Sequence, residues 1–415
     1  MAAVLVATMS CAGTRRALPT ASPENLGLSA EGLRRISTAL QGYVDAGKVS
    51  GIYAVIARRG QIGYEQTFGL RDLQRRDPMT RNAVFRIYSM TKPVVGAGAL
   101  LLVDQRKISL DDPVSKYIPA FANVKVYAGG SADAPQLRAP DSIMTVRHLL
   151  THTSGLPYGL TNLPVDTIFR RASLYNASST LAQFADSIAR IPLLFSPGSA
   201  WSYSSALEIV GRIIEVASGK TLDRFLDDEL FTPLGMRETT FRMQPALQRR
   251  LATLYAHDNG GPLQEVRGGL LAMYEPDARF LWGSGGLLST PDDYLRFAQM
   301  LLNGGELDGR RILSRQSVSE MMRNQLPAAL TPVSGPPMMD EGYGQGLAGA
   351  VLVDSARAAL PGSPGIYRWS GYVGTYFWID PRNELIAMVW TQLSPGRAYP
   401  LEQDFQKLVY AALQR

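Results

Sequence analysis

The chain has 415 residues, 46% of them hydrophobic and 19% charged, with a formal net charge of +6 at pH 7; that length holds two domains or one large core with an inserted lobe. The composition is that of a globular protein, and no apolar run exceeds about ten residues, which excludes a membrane-spanning helix. The positive charge is scattered in pairs such as Arg15-Arg16, Arg34-Arg35 and Arg310-Arg311, and no basic stripe with interleaved aromatics exists, which argues against a nucleic-acid partner.

Residues 1–24 read as a tail. Its segment Ala2 to Met9, followed by Ser10-Cys11-Ala12-Gly13, has the look of a signal peptide's end. However, no Lys or Arg precedes the apolar run and Thr8 stands where a lipid-attachment signal has Leu, so cytoplasmic and exported locations both stay open. Cys11 is the only cysteine, so no intrachain disulfide staples the fold. Ser29 then caps a helix with Leu33, Ile36, Leu40, Tyr43 and Val44 on one side and Gly47 at its close. Ile52 to Ala57 and Ile62 to Phe68 read as an antiparallel hairpin turned at Arg58-Arg59-Gly60-Gln61. A buried helix follows Ser89, and a short element begins at Asp111-Asp112-Pro113.

Residues 122–143, with Gly129-Gly130, Pro135 and Pro140, read as a loop. Helices follow as far as Met236, the best of them over Ser205 to Ala217 and Thr221 to Leu230. Trp282 to Leu288 is expected as a strand, Thr290 to Leu302 and Ser314 to Met322 as capped helices. Pro327, Pro332, Pro336 and Pro337 mark a long irregular loop over 324–342; this loop and residues 122–143 are expected to shape a pocket. Tyr367 to Ile379 and Leu385 to Thr391 read as strands around Asp380-Pro381-Arg382-Asn383, before an amphipathic helix bearing Leu401, Phe405, Leu408, Val409 and Leu413. The expected division is a tail over 1–24, a discontinuous α/β domain over 25–85 and 270–415, and a helical domain over 86–269.

The chemistry points to Ser89-Met90-Thr91-Lys92. Pro93 places the helix start close to Ser89, since proline is tolerated only in a helix's first turn. Residues three apart share a face, so the Ser89 hydroxyl and the Lys92 amine can meet. The helix N-terminus favours negative charge on the serine oxygen and disfavours the charged lysine, which describes an activated nucleophile. Ser-x-x-Lys alone is a weak pattern, equally a helix cap followed by a surface lysine.

Two further stretches keep it company: Tyr203-Ser204-Ser205, preceded by Phe195-Ser196-Pro197-Gly198, and Trp369-Ser370-Gly371. Their order, spacing and flanks resemble the serine β-lactamase and penicillin-binding-protein superfamily, in its class C-like branch. The tryptophan of the third motif resembles the family VIII carboxylesterases. Supporting segments are His148 to Leu156, Gly283-Ser284-Gly285-Gly286-Leu287 and Tyr343-Gly344-Gln345-Gly346. The resemblance implies an α/β (α+β) fold in which an antiparallel sheet is flanked by the terminal helices and accompanied by a mostly helical lobe. It implies Ser89 as nucleophile, Lys92 and Tyr203 as proton carriers, the backbone N–H groups of Ser89 and Tyr372 as oxyanion hole, and Ser205, Trp369, Ser370 and Gly371 as substrate-binding residues. No cofactor or metal is implied. A phenol beside a lysine cation is further expected to have its pKa pulled down.

Two departures bear on the substrate. Ser205 stands where class C β-lactamases have Asn, and Trp369 where they have the Lys that holds the substrate carboxylate. An indole cannot replace that charge, so a small short-acyl-chain ester is the expected partner, with weak action on β-lactams left open. Alternatives are a β-lactamase, a D-amino-acid peptidase or an acyltransferase on the same Ser/Lys/Tyr site, and a sensor acylated without turnover. An α/β-hydrolase would need Gly-x-Ser-x-Gly, which is absent. His148 and His152, four apart, are read as structural, since no zincin Glu follows His148; His257 is placed in a surface turn. The oligomeric state is not legible.

Overall fold

The structure is a computed structural model describing residues 17–257, 261–331 and 341–414. The signal-like stretch with Cys11 and the prolines at 332, 336 and 337 lie outside the described residues. Eight strands form one antiparallel sheet: β1 (Gly51–Arg58), β2 (Gln61–Asp72), β3 (Asp77–Pro78), β4 (Tyr343–Gln345), β5 (Ala350–Leu352), β6 (Tyr367–Ser370), β7 (Thr375–Asp380) and β8 (Leu385–Trp390). Their spatial order is β4-β5-β6-β7-β8-β1-β2-β3. The two ends of the sequence therefore meet in mid-sheet, where Tyr53 pairs with Trp390 and Ala57 with Ile386.

The helices that matter here are α1 (Ala30–Asp45), α2 (Thr91–Asp104), α3 (Ala206–Ser218), α4 (Pro291–Leu302), α5 (Arg315–Met322) and α6 (Leu401–Ala412). Both faces of the central strands are covered. That is why β1, β7 and β8 are continuous apolar runs, buried along almost their whole length, rather than alternating ones. Alternation along β7 sends Phe377 to Tyr294 of α4 (5.0 Å between rings) and Trp378 to Phe405 of α6 (5.7 Å).

Caps set the helix starts where the sequence indicated. The Ser29 hydroxyl accepts from the Gly32 N–H, Thr290 from that of Asp293, and Ser314 from that of Ser317. α1 and α6 then lie backbone to backbone: the Ser29 N–H donates to the Ala412 carbonyl at 2.9 Å. A side chain at Gly32 would put its Cβ 2.5 Å from that of Ala412. α2 is buried from Thr91 through Leu102 and packs against α3.

Three expectations are corrected. Residues 122–143 are not a featureless loop: Val126–Gly130 and Pro135–Arg138 form a hairpin turned at residues 131–134, with the positive φ of Gly129 and Gly130 following a register shift in its first strand. Of Trp282 to Leu288 only Leu288 is in a strand, Leu288–Ser289, paired with Phe85–Arg86. The rest is a turn, with the Gly285 and Gly286 N–H groups bonded to the Trp282 carbonyl. Tyr367 to Ile379 is two strands, since Gly371 and Gly374 close a tight connection between β6 and β7. Among the described residues no helix is long and apolar enough to cross a membrane.

Because Trp378 is fully buried where β7 meets α6, Trp378→Ala is expected to lower the unfolding free energy by about 3–5 kcal/mol, measured by chemical denaturation.

Candidate active site

The chain enters the site strained. Tyr88 has φ 41°, a region a bulky residue adopts only under constraint. The constraint comes from its ring, held against Trp282 and Tyr274 at 5.6 and 5.8 Å, and from the Ile87 N–H bonded to the Leu287 carbonyl. A single 3₁₀ turn, Tyr88–Met90, follows, and α2 starts at Thr91. Ser89 is thereby left half-buried at a tip, with Lys92 one turn on.

Lys92 is wholly buried. Its Nζ lies 3.1 Å from Ser89 Oγ and donates to the Ser284 carbonyl at 2.9 Å. Burial pushes its pKa down to about 7, against the opposing pull of the Glu208 charge. The Tyr203 hydroxyl donates to Ser89 Oγ at 2.8 Å, and its ring centroid is 4.6 Å from the Lys92 nitrogen. The expectation of an acidified phenol is corrected. Desolvation first, and then the neighbouring Tyr158, hold Tyr203 well above the usual range, outweighing the hydrogen bond to Ser89. Lys92 is not among the groups that set it.

Tyr203 is set by His152, whose carbonyl accepts the Ser202 N–H and whose Nδ1 pairs with Ser204 Oγ at 3.0 Å. The imidazole stacks on Trp369 with an interplanar angle of 18°. Burial holds it well below its ordinary pKa, hence neutral. His148 completes a capping box with Thr145. His257 ends a short strand, Tyr255–His257, with its Nε2 3.1 Å from the Lys48 carbonyl; the surface turn expected there falls partly on residues outside the described ones.

The third motif closes the site. Gly371 fits where a Cβ would lie 2.4 Å from the Ile87 carbonyl oxygen and 2.3 Å from Thr375 Oγ1. Only glycine lets the turn after β6 approach the strained turn before α2 this closely. Tyr372 is locked in turn by the Gly396 N–H on its carbonyl (2.7 Å). Among the described residues, neither the Ser89 nor the Tyr372 N–H is taken by a main-chain acceptor.

Ser89, Tyr203, Trp369, Ser370, Gly371 and Tyr372 all border one cavity of about 540 Å³, whose other walls are largely aromatic: Tyr88, Tyr158, Phe169, Tyr175, Trp282 and Tyr376. Such a volume suits a small molecule. Ser205 is corrected: it is fully buried, donates to the Pro157 carbonyl at 2.8 Å and does not border the cavity. No described residue of 122–143 or 324–342 borders it either; segments 158–175 and 395–397 do. The sequence reading passed over Tyr158, Tyr175 and Glu208. The one available signal was a carboxylate inside the apolar run Ala206-Leu207-Glu208-Ile209-Val210.

Residues 36–411 match the family described as Beta-lactamase. The chain belongs to the beta-lactamase family. A Mycobacterium tuberculosis protein described as uncharacterised is 34% identical over 85% of this chain and 88% of its own length. The esterase EstB of Burkholderia gladioli is 30% identical over 88% and 91%. The solved structure of EstCE1, described as a hydrolase with promiscuous acyltransferase activity, superposes with a TM-score of 0.80 at 26% identity, over 92% of this chain and 99% of that one. The beta-lactamase fold of the chain is thus the one the three motifs implied, and its resemblance to the family VIII esterases holds.

Because the Ser205 hydroxyl is spent on Pro157, Ser205→Ala is expected to lower the unfolding free energy by about 1 kcal/mol and to leave KM for an ester unmoved, checked by denaturation and steady-state kinetics.

Proposed function

We propose that the protein is a serine carboxylesterase that hydrolyses small, short-acyl-chain esters through an acyl-enzyme on Ser89. One observation carries the reading: Ser89 Oγ lies within 3.1 Å of both a buried amine and a phenol and opens into an aromatic cavity. Neutral Lys92 takes the Ser89 proton as Oγ bonds to the ester carbonyl carbon, and the Ser89 and Tyr372 N–H groups hold the oxyanion. Tyr203, a phenol and not a phenolate, gives its proton to the departing alcohol, and the proton on Lys92 restores it. Water then repeats the cycle in reverse and frees the acid.

Uncharged substrates fit the cavity's electrostatics. Trp369 stands at the motif lysine's place, 6% exposed and 5.7 Å from the Tyr203 ring. Two cations border the cavity: Arg368, whose guanidinium donates to the Tyr376 hydroxyl at 3.2 Å and lies over the Tyr343 ring, and, at the rim, Arg397, which donates to Ser370 Oγ at 3.3 Å. Its side chain is 44% exposed and lies 3.9 Å from Glu402, so solvent and a counter-charge both weaken it as an anchor for a carboxylate. Weak action on β-lactams accordingly accompanies the esterase reading as a side activity. A second reading, acyl transfer to an alcohol, draws support from the aromatic walls, which favour an apolar acceptor over water, and from the activity described for EstCE1.

Ser89→Ala is expected to lower kcat/KM for a short-chain nitrophenyl ester by about a thousandfold or more; undiminished turnover would remove Ser89 from the mechanism, and the ratio of nitrocefin to ester rates ranks the two substrate classes. The working lysine is the unprotonated one. Ester kcat/KM is therefore expected to rise as pH climbs through about 7 and to be lost below it. Gly371→Ala, which drives the Tyr372 amide away from Ile87, is expected to reduce kcat by about a hundredfold to a thousandfold while the thermal midpoint of unfolding stays measurable.

A further inference from the structure

We infer that Glu208 is a positioning residue for Lys92, acting through the turn at residues 283–286 and through the charge it places behind the amine. The inference rests on the acyl-enzyme reading above. Glu208 stands on α3, five residues beyond Tyr203, and is wholly buried. Its Oε1 accepts from the Tyr175 hydroxyl at 2.6 Å and from Ser284 Oγ at 2.5 Å; Oε2 has no hydrogen-bond partner among the described residues. Ser284 Oγ also accepts from the Trp282 indole at 2.9 Å. The hydroxyl is thus fixed from two sides, and the carbonyl of the same residue receives Lys92 Nζ at 2.9 Å.

A carboxylate so buried and half-satisfied is expensive to keep unless something nearby uses it. Burial raises its pKa above the ordinary carboxylate value, and the first group to pull it back down is the Lys92 cation; among the described residues no arginine pairs with it. The groups around the pair are all neutral at working pH. Tyr158, between them, lies 3.2 Å from Ser284 Oγ; Tyr175 and Tyr203 are buried phenols held far above their ordinary range, and His152 is a buried neutral imidazole. Glu208 therefore supplies the charge that favours the lysinium formed when Ser89 gives up its proton. It also holds the carbonyl that aims the amine. A nucleophile, its base and a third group that orients the base make up the arrangement known from other activated serines.

Glu208→Gln tests this with the shape retained, because a Gln carbonyl still accepts from Tyr175 and Ser284 while the charge is gone. The readout is the pH-dependent rate at which a fluorophosphonate labels Ser89. In that step the Oγ–P bond forms, the P–F bond breaks, fluoride leaves and the serine proton passes to Lys92. No ester substrate is required. The variant is expected to be labelled about tenfold more slowly on the plateau, with the acid limb displaced downward by about one pH unit, since the charge that held the proton on Lys92 is missing. Ser284→Ala, which keeps the carbonyl but cuts the hydroxyl link, is expected to slow labelling as well and provides the test should the Gln variant not fold. A plateau and acid limb equal to wild type in both variants, or a slower plateau with an unmoved limb, would overturn the role of Glu208 and leave the esterase reading intact. Failure of wild type to be labelled at Ser89 would instead overturn the acyl-enzyme reading.

Discussion

The structure turns on keeping one amine dry. Lys92 has no exposed surface, and a lysine in that condition loses most of its preference for the charged form. An ordinary surface lysine is protonated at neutral pH and useless as a base. Here the surrounding protein removes its water and supplies in exchange one carbonyl, one hydroxyl and the faces of two tyrosine rings. Each neighbour is tied to a different element. The carbonyl comes from the 283–286 turn, the hydroxyl from the strained turn before α2, and the phenols from Tyr158 and from the segment that leads into α3.

The same burial explains the division of labour. A phenol buried in the same dry site stays protonated, so Tyr203 is suited to giving a proton and Lys92 to taking one. The assignment reverses the pull that a charged lysine would have exerted. The oxyanion donors depend on a different constraint, the close passage of two backbones at Gly371 and Ile87. One feature sets proton affinities and the other sets distances.

Much of this was legible in the chain. Ser89 and Lys92 were readable because helix geometry puts positions three apart together, and Pro93 fixed the register. Helix starts at Ser29, Thr290 and Ser314 were readable because capping is local chemistry. Trp282 to Leu288 was misjudged because apolar composition outweighed three glycines whose real task is close approach: a Cβ at Gly283 would lie 2.5 Å from the Leu207 carbonyl oxygen. Residues 367–379 were run together for the same reason. Ser205 went astray because a position carried over from a related motif says nothing about which way a hydroxyl turns. Glu208 was passed over since its significance lies in Ser284 and Tyr175, neither of which is near it in sequence, and only the folded chain brings them to one carboxylate.

The pairing of β1 with β8 carries a consequence for how the molecule is made. Tyr53 waits for Trp390, and the turn that positions Tyr372 waits for Gly396. Until those late residues leave the ribosome, the early hairpin has an unpaired edge and the serine has no partner amide across from it. Assembly dominated by such distant partners is slow, and the nascent chain spends that interval exposing a long apolar strand suited to sticking to its own kind. A protein of this design gains its chemistry and sheds its tendency to aggregate in one and the same closing event.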